Sequence, residues 1–277
     1  MKKIHLNEKI SQKTIKLSLL LLILICILCY LIFQASQHIS KHIQKISFEN
    51  QITSFEQKNE KTIFSIDSIT LFSSGDAKNK VSSKTNFTLE NIYTYTDIAI
   101  FINNNSTENT LENTLKSVSI ENIEFTKLPD QGQAHLYYKN LNDFAKPYIP
   151  ETEPIDKKLS FDIVSEETTD FSKPILYNNC ANPITLSFVN ENIKTDYTIL
   201  DINTPITYNG SLLQRCNIPI STISASLSFE IYITNNKDEK FTSKVFIDIP
   251  YKDGEKSIYD GNITIKPDVN FVFYRYE

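Results

Sequence analysis

Two hydrophobic periodicities divide this chain. From residue 17 to 33 every position except Ser18 is apolar or aromatic, and no charge interrupts the run. At 1.5 Å per residue a helix over this stretch is about 26 Å long, close to the roughly 30 Å hydrocarbon core of a bilayer. A core helix of a soluble protein carries polar positions at helical spacing, and this run lacks them. The pattern predicts a transmembrane helix over 17–33.

A short helical continuation follows over 34–46. Ile39, Ile43 and Ile46 fall at i, i+4 and i+7 among Gln, Ser, His and Lys, the spacing of an amphipathic stalk. From Phe48 onward the dominant period is two. Ile92, Thr94, Thr96, Ile98, Ile100 and Ile102 form one face of a long strand, with Tyr93, Tyr95, Ala99 and Phe101 on the other. Phe64 and Ile66 alternate, and Ile69 and Leu71 resume in the opposite phase after Asp67 and Ser68. Val118 and Ile120, then Ile123 and Phe125, show the same slip. One extra residue that re-phases a strand predicts a β-bulge or a strand break.

Three of the ten prolines, Pro147, Pro150 and Pro154, fall within eight positions. Proline removes a ladder donor and stiffens an extended chain, so 147–157 reads as a linker, the alternative being a rigid loop inside one large sandwich. Alternation then resumes in Leu159/Phe161/Ile163, Ile184/Leu186/Phe188, Leu227/Phe229/Ile231/Ile233 and Val245/Ile247/Ile249. Each half also contains a strand, an Asn-rich turn and a returning strand, Ile100–Asn104 with Val118–Ile120 and Ile231–Asn235 with Val245–Ile247. The expected fold class is all-β: two tandem immunoglobulin-like antiparallel β-sandwiches after one transmembrane helix. The expected boundaries are a tail at 1–16, the helix at 17–33, a stalk at 34–46, one sandwich at 47–146, the linker at 147–157 and a second sandwich at 158–277.

Charge supplies the orientation. Lys2, Lys3, Lys9, Lys13 and Lys16 precede the apolar run, and only Lys41 and Lys45 follow it closely. The positive-inside rule then puts the N-terminus in the cytoplasm and the C-terminal domains outside the cell membrane, held by a single pass. A cleaved signal peptide has an apolar region of about 7–15 residues and a small residue three before the cut. Here the run is longer, and bulky Phe33 occupies that place for a cut after Ala35, so the segment is expected to stay as an anchor. A net charge of −5 gives no basic excess, which argues against nucleic-acid binding. The bias toward Asn, Ile, Lys, Ser and Thr is what an AT-rich coding sequence imposes and says little about function.

Cysteine usage follows the same partition. Cys26 and Cys29 lie in the apolar run, where they act as small apolar residues. Cys180 and Cys216 are the only pair on the outer side, where disulfides persist, and a bond between them is expected. The closed loop of about 37 residues would then stabilise the fold by roughly 3–4 kcal/mol in the chain-entropy model.

Reactive constellations are scarce. The chain has no G-x-S-x-G, H-E-x-x-H, P-loop or G-x-G-x-x-G pattern. His38 and His42 share a helix face without a third ligand, and His135 sits in an apparent strand, so each reads as packing or a solvated face. Glu166, Glu167 and Asp170, or Asp238 and Glu239, are the acidic groups from which a paired-carboxylate hydrolase would be built. The Asn-rich loops at 103–109 and 235–239 lack EF-hand spacing. Tyr93/Tyr95, Tyr137/Tyr138 and the aromatic C-terminus are the candidates for an amphipathic binding strip. No catalytic residue, metal site or cofactor is expected. The expected role is non-enzymatic binding or envelope organisation, with an envelope protein or wall polymer as partner. The alternatives are an envelope carbohydrate-active hydrolase and an accessory subunit of a membrane complex.

Overall fold

The computed structural model describes residues 2–58, 63–78, 87–108, 110–147, 152–165, 171–180, 182–199, 206–249, 259–266 and 272–276. The chain divides into two units, Met1–Glu60 and Lys61–Glu277. The first is one helix, α1, Lys2–Lys58. Its 57 residues contain neither Gly nor Pro, so nothing local stops propagation for about 85 Å. Within it Thr14–Gln37 has a mean hydropathy of 2.9 and is long and apolar enough to cross a membrane, a property shared by anchors and signal sequences. The helix does not end at 46. Residues 47–58, expected to open the first sandwich, are helical, and Phe48, Ile52 and Phe55 repeat the i, i+4, i+7 spacing.

The second unit is built on strands. They are β1 Phe64–Ala77, β2 Phe87–Thr88, β3 Asn91–Asn104, β4 Leu115–Lys127, β5 Gln133–Tyr138, β6 Leu159–Val164 and β7 Ile175–Tyr177. After these come β8 Ile184–Lys194, β9 Thr198–Ile199, the short helix α2 Ser211–Arg215, β10 Ala225–Asn235, β11 Lys240–Ile249, β12 Gly261–Ile265 and β13 Tyr274–Arg275. A five-stranded sheet runs β12-β1-β3-β8-β5, a six-stranded sheet runs β13-β11-β10-β4-β6-β7, and β2 pairs with β9. Both large sheets feed a shared apolar core, with Phe64 on β1 meeting Phe241 on β11 edge-on at 5.5 Å and Phe125 on β4 meeting Phe188 on β8 at 6.0 Å.

The strands do not sort at the proline-rich segment, which corrects the expected pair of tandem sandwiches. In the five-stranded sheet β1, β3 and β5 precede that segment, while β8 and β12 follow it. In the six-stranded sheet β4 pairs with β10, more than 100 residues downstream. The proline-rich segment leads from β5 at the edge of one sheet to β6 in the other, and the Ile155 N–H donates to the Leu136 carbonyl at 2.8 Å. The strands on either side of it therefore belong to one unit. The echoed motifs also part company. β10 and β11 form a true hairpin, whereas β3 and β4 belong to different sheets. One pairing departs from the expected antiparallel pattern, since β6 and β7 run parallel.

The phase slips are bulges. Opposite β3, Ile66 and Ser68 on β1 face Ile102 and Phe101, so Asp67 is the extra residue. On β4 the register steps from Glu121 to Glu124 while β10 steps only from Glu230 to Ser228, and Asn122 takes the left-handed conformation at φ 53°. A third bulge on β8, with Asn192 at φ 59°, returns Ile193 to the core. Asn tolerates this region better than other side-chain-bearing residues do, which suits it to these sites.

Two tie-downs close the core. Tyr259 is buried, and its hydroxyl is 2.6 Å from the Thr96 hydroxyl on the core face of β3. Gly210 passes so close to the Tyr259 carbonyl that a Cβ there would come within 1.8 Å of it. At the C-terminus Val272 bridges to Ser65 on β1, Phe273 is fully buried, and Tyr274 and Arg275 pair with β11. This segment laces one sheet to the other.

Cys180 and Cys216 are not bonded to each other; all four cysteines are free thiols. Cys180 is buried in the core, and Cys216, which caps α2, packs against the same cluster. Both serve as small apolar side chains, and burial pushes the Cys180 thiol up to about 12. The expected disulfide is therefore withdrawn.

Candidate functional site

The outward face of the six-stranded sheet gathers polar and aromatic side chains, most of them half-buried. Along β10, Leu227, Phe229, Ile231 and Ile233 point into the core, so Ser228, Glu230, Tyr232 and Thr234 lie on the opposite face. The β4 bulge decides what meets them. Its register sets Glu121 directly across from Glu230, and Ser119 across from Tyr232. On the other side Lys244 faces Glu230 and Thr242 faces Tyr232, while Phe246, opposite Ser228, is 49% exposed.

Hydrogen bonds fix this array. The Glu230 carboxylate accepts from the Tyr232 hydroxyl at 2.6 Å and from the Asn122 amide at 2.6 Å through the same oxygen. Glu121 accepts from the Ser119 hydroxyl at 2.7 Å and pairs with Lys158 at 2.7 Å. The Tyr276 ring meets Tyr232 edge-on, with centroids 5.7 Å apart. Lys158 and Ser119 hold the Glu121 carboxyl below the usual range, because both favour its ionised form. Glu230 instead pushes the Tyr232 phenol up to about 12, since the bond it accepts needs the proton in place. At neutral pH the face presents an ionised carboxylate in Glu121, a protonated phenol in Tyr232 and an amide. These groups recognise hydroxyls, amides and aromatic or sugar faces.

The residues expected from sequence fall elsewhere. Tyr93, Tyr95 and Tyr137 come together with Val189 on the outer face of the five-stranded sheet, but all are buried, so they form a satellite core and no open strip. Tyr138 donates to the carbonyls of Phe171 and Lys173. His135 lies near Tyr137, ring centroids 6.1 Å apart, beside a shallow depression lined by Leu128, Pro129 and Gly132. Asp238 pairs with Lys116, and Glu239 is held by Asn235 and by Arg275 at 3.0 Å. Glu166, Glu167 and Asp170 lie outside the described residues, as do the side chains of His38 and His42. In the Asn-rich loops the amides bond backbone and hydroxyl groups: Asn104 donates to the Asn113 backbone carbonyl, Asn113 to the Ser106 hydroxyl, and Asn236 to the Thr114 hydroxyl. No cluster of metal-ligating side chains is present among the described residues.

The most heavily buried charges were missed in the sequence. Asp97 on β3 is fully buried, and Lys139 reaches both its oxygens at 2.8 and 2.9 Å. Ser187 and the Ala145 N–H complete the carboxylate's shell at 2.7 Å each, and the ammonium also donates to the Lys146 carbonyl and stands 4.9 Å from the Tyr95 ring centroid. Burial drives both groups toward neutrality, and their mutual attraction opposes it. Every donor and acceptor is used internally, so this is a clasp holding the 139–147 loop on the sheet. Its one signal was a charge, Asp97, inside an otherwise uncharged strand. No protein family matches the chain, and no curated protein sequence or solved structure does either.

Proposed function

We propose that the chain is a single-pass membrane-anchored protein with its N-terminus in the cytoplasm and its β unit outside. There the open face of the six-stranded sheet binds a hydroxyl-rich envelope polymer without transforming it. The observation that carries this reading is the half-buried Glu230 carboxylate holding the Tyr232 hydroxyl and the exposed Asn122 amide in fixed orientation. Pre-oriented polar groups beside rings such as Tyr276 and Phe246 suit a ligand that offers hydroxyls at its edges and C–H surfaces on its faces. The five lysines before the apolar run support the orientation.

Co-sedimentation of the 61–277 unit with insoluble cell-wall glycan tests the proposal. Retention that falls at least tenfold in E230A and Y232A, but survives T70A on the other sheet, supports it. No retention of the unaltered protein overturns it.

One observation keeps a hydrolase as the second reading, namely the register that sets Glu121 across from Glu230. Cross-strand neighbours have Cβ atoms about 4.5–5.5 Å apart, which leaves their carboxyl groups within reach of the roughly 5–5.5 Å spacing that retaining glycosidases use. Against it, Lys158 holds Glu121 ionised, which unfits it as a general acid. Release of reducing ends that disappears in both E121Q and E230Q would favour this second reading.

A further inference from the structure

The clasp on β3 holds reactants as well as charges. Lys139 follows the last residue of β5, at the edge of the five-stranded sheet. Asp97 lies two strands inward, and Ser187 of β8 stands between them. The Lys139 Nζ is 2.9 Å from Oδ1 of Asp97 and 2.8 Å from Oδ2. A nitrogen that close to both oxygens lies against the carbon that joins them, within the roughly 3–3.5 Å at which reacting atoms are poised. The Lys146 carbonyl, which accepts from Nζ at 2.8 Å, and the Tyr95 ring, 4.9 Å away, keep the amine in place.

An amine and a carboxylic acid condense to an amide when both are neutral and water is kept away. In bulk water neither condition holds. Here Asp97 is 0% exposed and the Lys139 side chain 4%. Burial pushes the Asp97 carboxyl up and the Lys139 amine down, so proton transfer across their hydrogen bond yields the reactive forms. Holding the two groups in contact replaces a bimolecular encounter, which in well-oriented cases equals a concentration of about 10⁵–10⁸ M. The Ala145 N–H donates to Oδ2 and the Ser187 hydroxyl to Oδ1, each at 2.7 Å. Both donors therefore point at the oxygens that gain charge as nitrogen adds to the carbon.

We propose that Lys139 and Asp97 condense spontaneously into an isopeptide bond that fastens the end of β5 to β3. The Nζ–Cγ bond forms and the Cγ–Oδ1 bond breaks. Nitrogen begins with three protons and ends with one, and the two it gives up leave with Oδ1 as water. The charges of ammonium and carboxylate cancel, so no further reactant is consumed. In the product the single amide N–H keeps the Lys146 carbonyl as its acceptor, and Oδ2 keeps the Ala145 N–H. The bond joins positions 42 apart in the chain, and it holds whichever ligand the other sheet takes. Freshly refolded chain carries the same two residues as ions, so it is the reference state for any measurement of the ion pair itself.

The test is peptide mapping by mass spectrometry of the full chain, extracted in detergent and digested under denaturing, reducing conditions. The expected product is a branched peptide that joins the segment containing Asp97 to the segment containing Lys139, one water lighter than the sum of its arms. K139M is expected to lose it entirely and to release the two segments as separate linear peptides. D97L/K139M removes both reactive groups without orphaning a buried charge, so it should keep the circular dichroism of the unaltered chain and still give no branched peptide. Recovery of the Asp97 and Lys139 segments as separate peptides of full mass from the folded, unaltered chain overturns the proposal. A branched peptide that survives in D97L/K139M also overturns it, because the link then lies elsewhere.

Discussion

Removing the Lys139 ammonium is the sharpest stability test of the β unit. Asp97 is 0% exposed and the Lys139 side chain 4%, so the pair is fully desolvated. In Lys139→Met the carboxylate keeps the Ser187 hydroxyl and the Ala145 N–H but loses its counter-charge and both contacts at 2.8 and 2.9 Å. Breaking a buried ion pair from one side costs about 3–5 kcal/mol. For a domain of this size each kcal/mol shifts Tm by about 2–4 °C, so Tm should fall by about 6–20 °C. The loop should loosen as well, because Ala145 sits at φ 65°, a conformation the Asp97 bond helps to hold. The assay is urea and thermal unfolding of residues 61–277 followed by circular dichroism. Replacing both partners in D97L/K139M removes the orphaned charge and should recover most of the loss. A loss below about 1 kcal/mol for K139M, or a double variant no better than the single one, would refute the reasoning.

Other outcomes follow from the same geometry. G210A should lower stability by about 1–3 kcal/mol through overpacking against the Tyr259 carbonyl, read as a shift in urea midpoint with the slope unchanged. Tyr95, Tyr232 and Tyr259 have phenols pushed up to about 12, the first and last by burial and Tyr232 by Glu230. Their folded values exceed the ordinary 10, so their contribution is complete below pH 10 and is lost as pH rises from about 10 to 12. Absorbance at 295 nm should show these three phenols still protonated at pH 11, where an ordinary phenol is about nine-tenths ionised; their full ionisation by pH 11 in the folded unit would contradict it. Cys180 should resist a thiol reagent until denaturant is added, and the unit should migrate identically with and without reductant.

Periodicity made the strands and two of the bulges readable, because a single extra residue reverses which side chains face the core. It failed at 47–58, where Phe48, Ile52 and Phe55 keep helical spacing beside a region of strong alternation and no Gly or Pro marks a change. Pairing was beyond reach. That β3 lies between β1 and β8, and β4 beside β10, depends on contacts across about 100 residues which local alternation does not encode. The face built from Glu121, Asn122, Glu230 and Tyr232 was hidden for that reason, although alternation already turned Glu230 and Tyr232 outward. Cys180 and Cys216 show the reverse error: compartment and parity suggested a bond, but each thiol had a place in the core.

The most direct measurement of the central claim is amide hydrogen exchange across the 61–277 unit with and without solubilised cell-wall fragments. The account predicts added protection confined to β4, β10 and β11 around Glu121, Glu230 and Tyr232, abolished by Y232A. Protection centred on the five-stranded sheet, or none at saturating fragment, would contradict it.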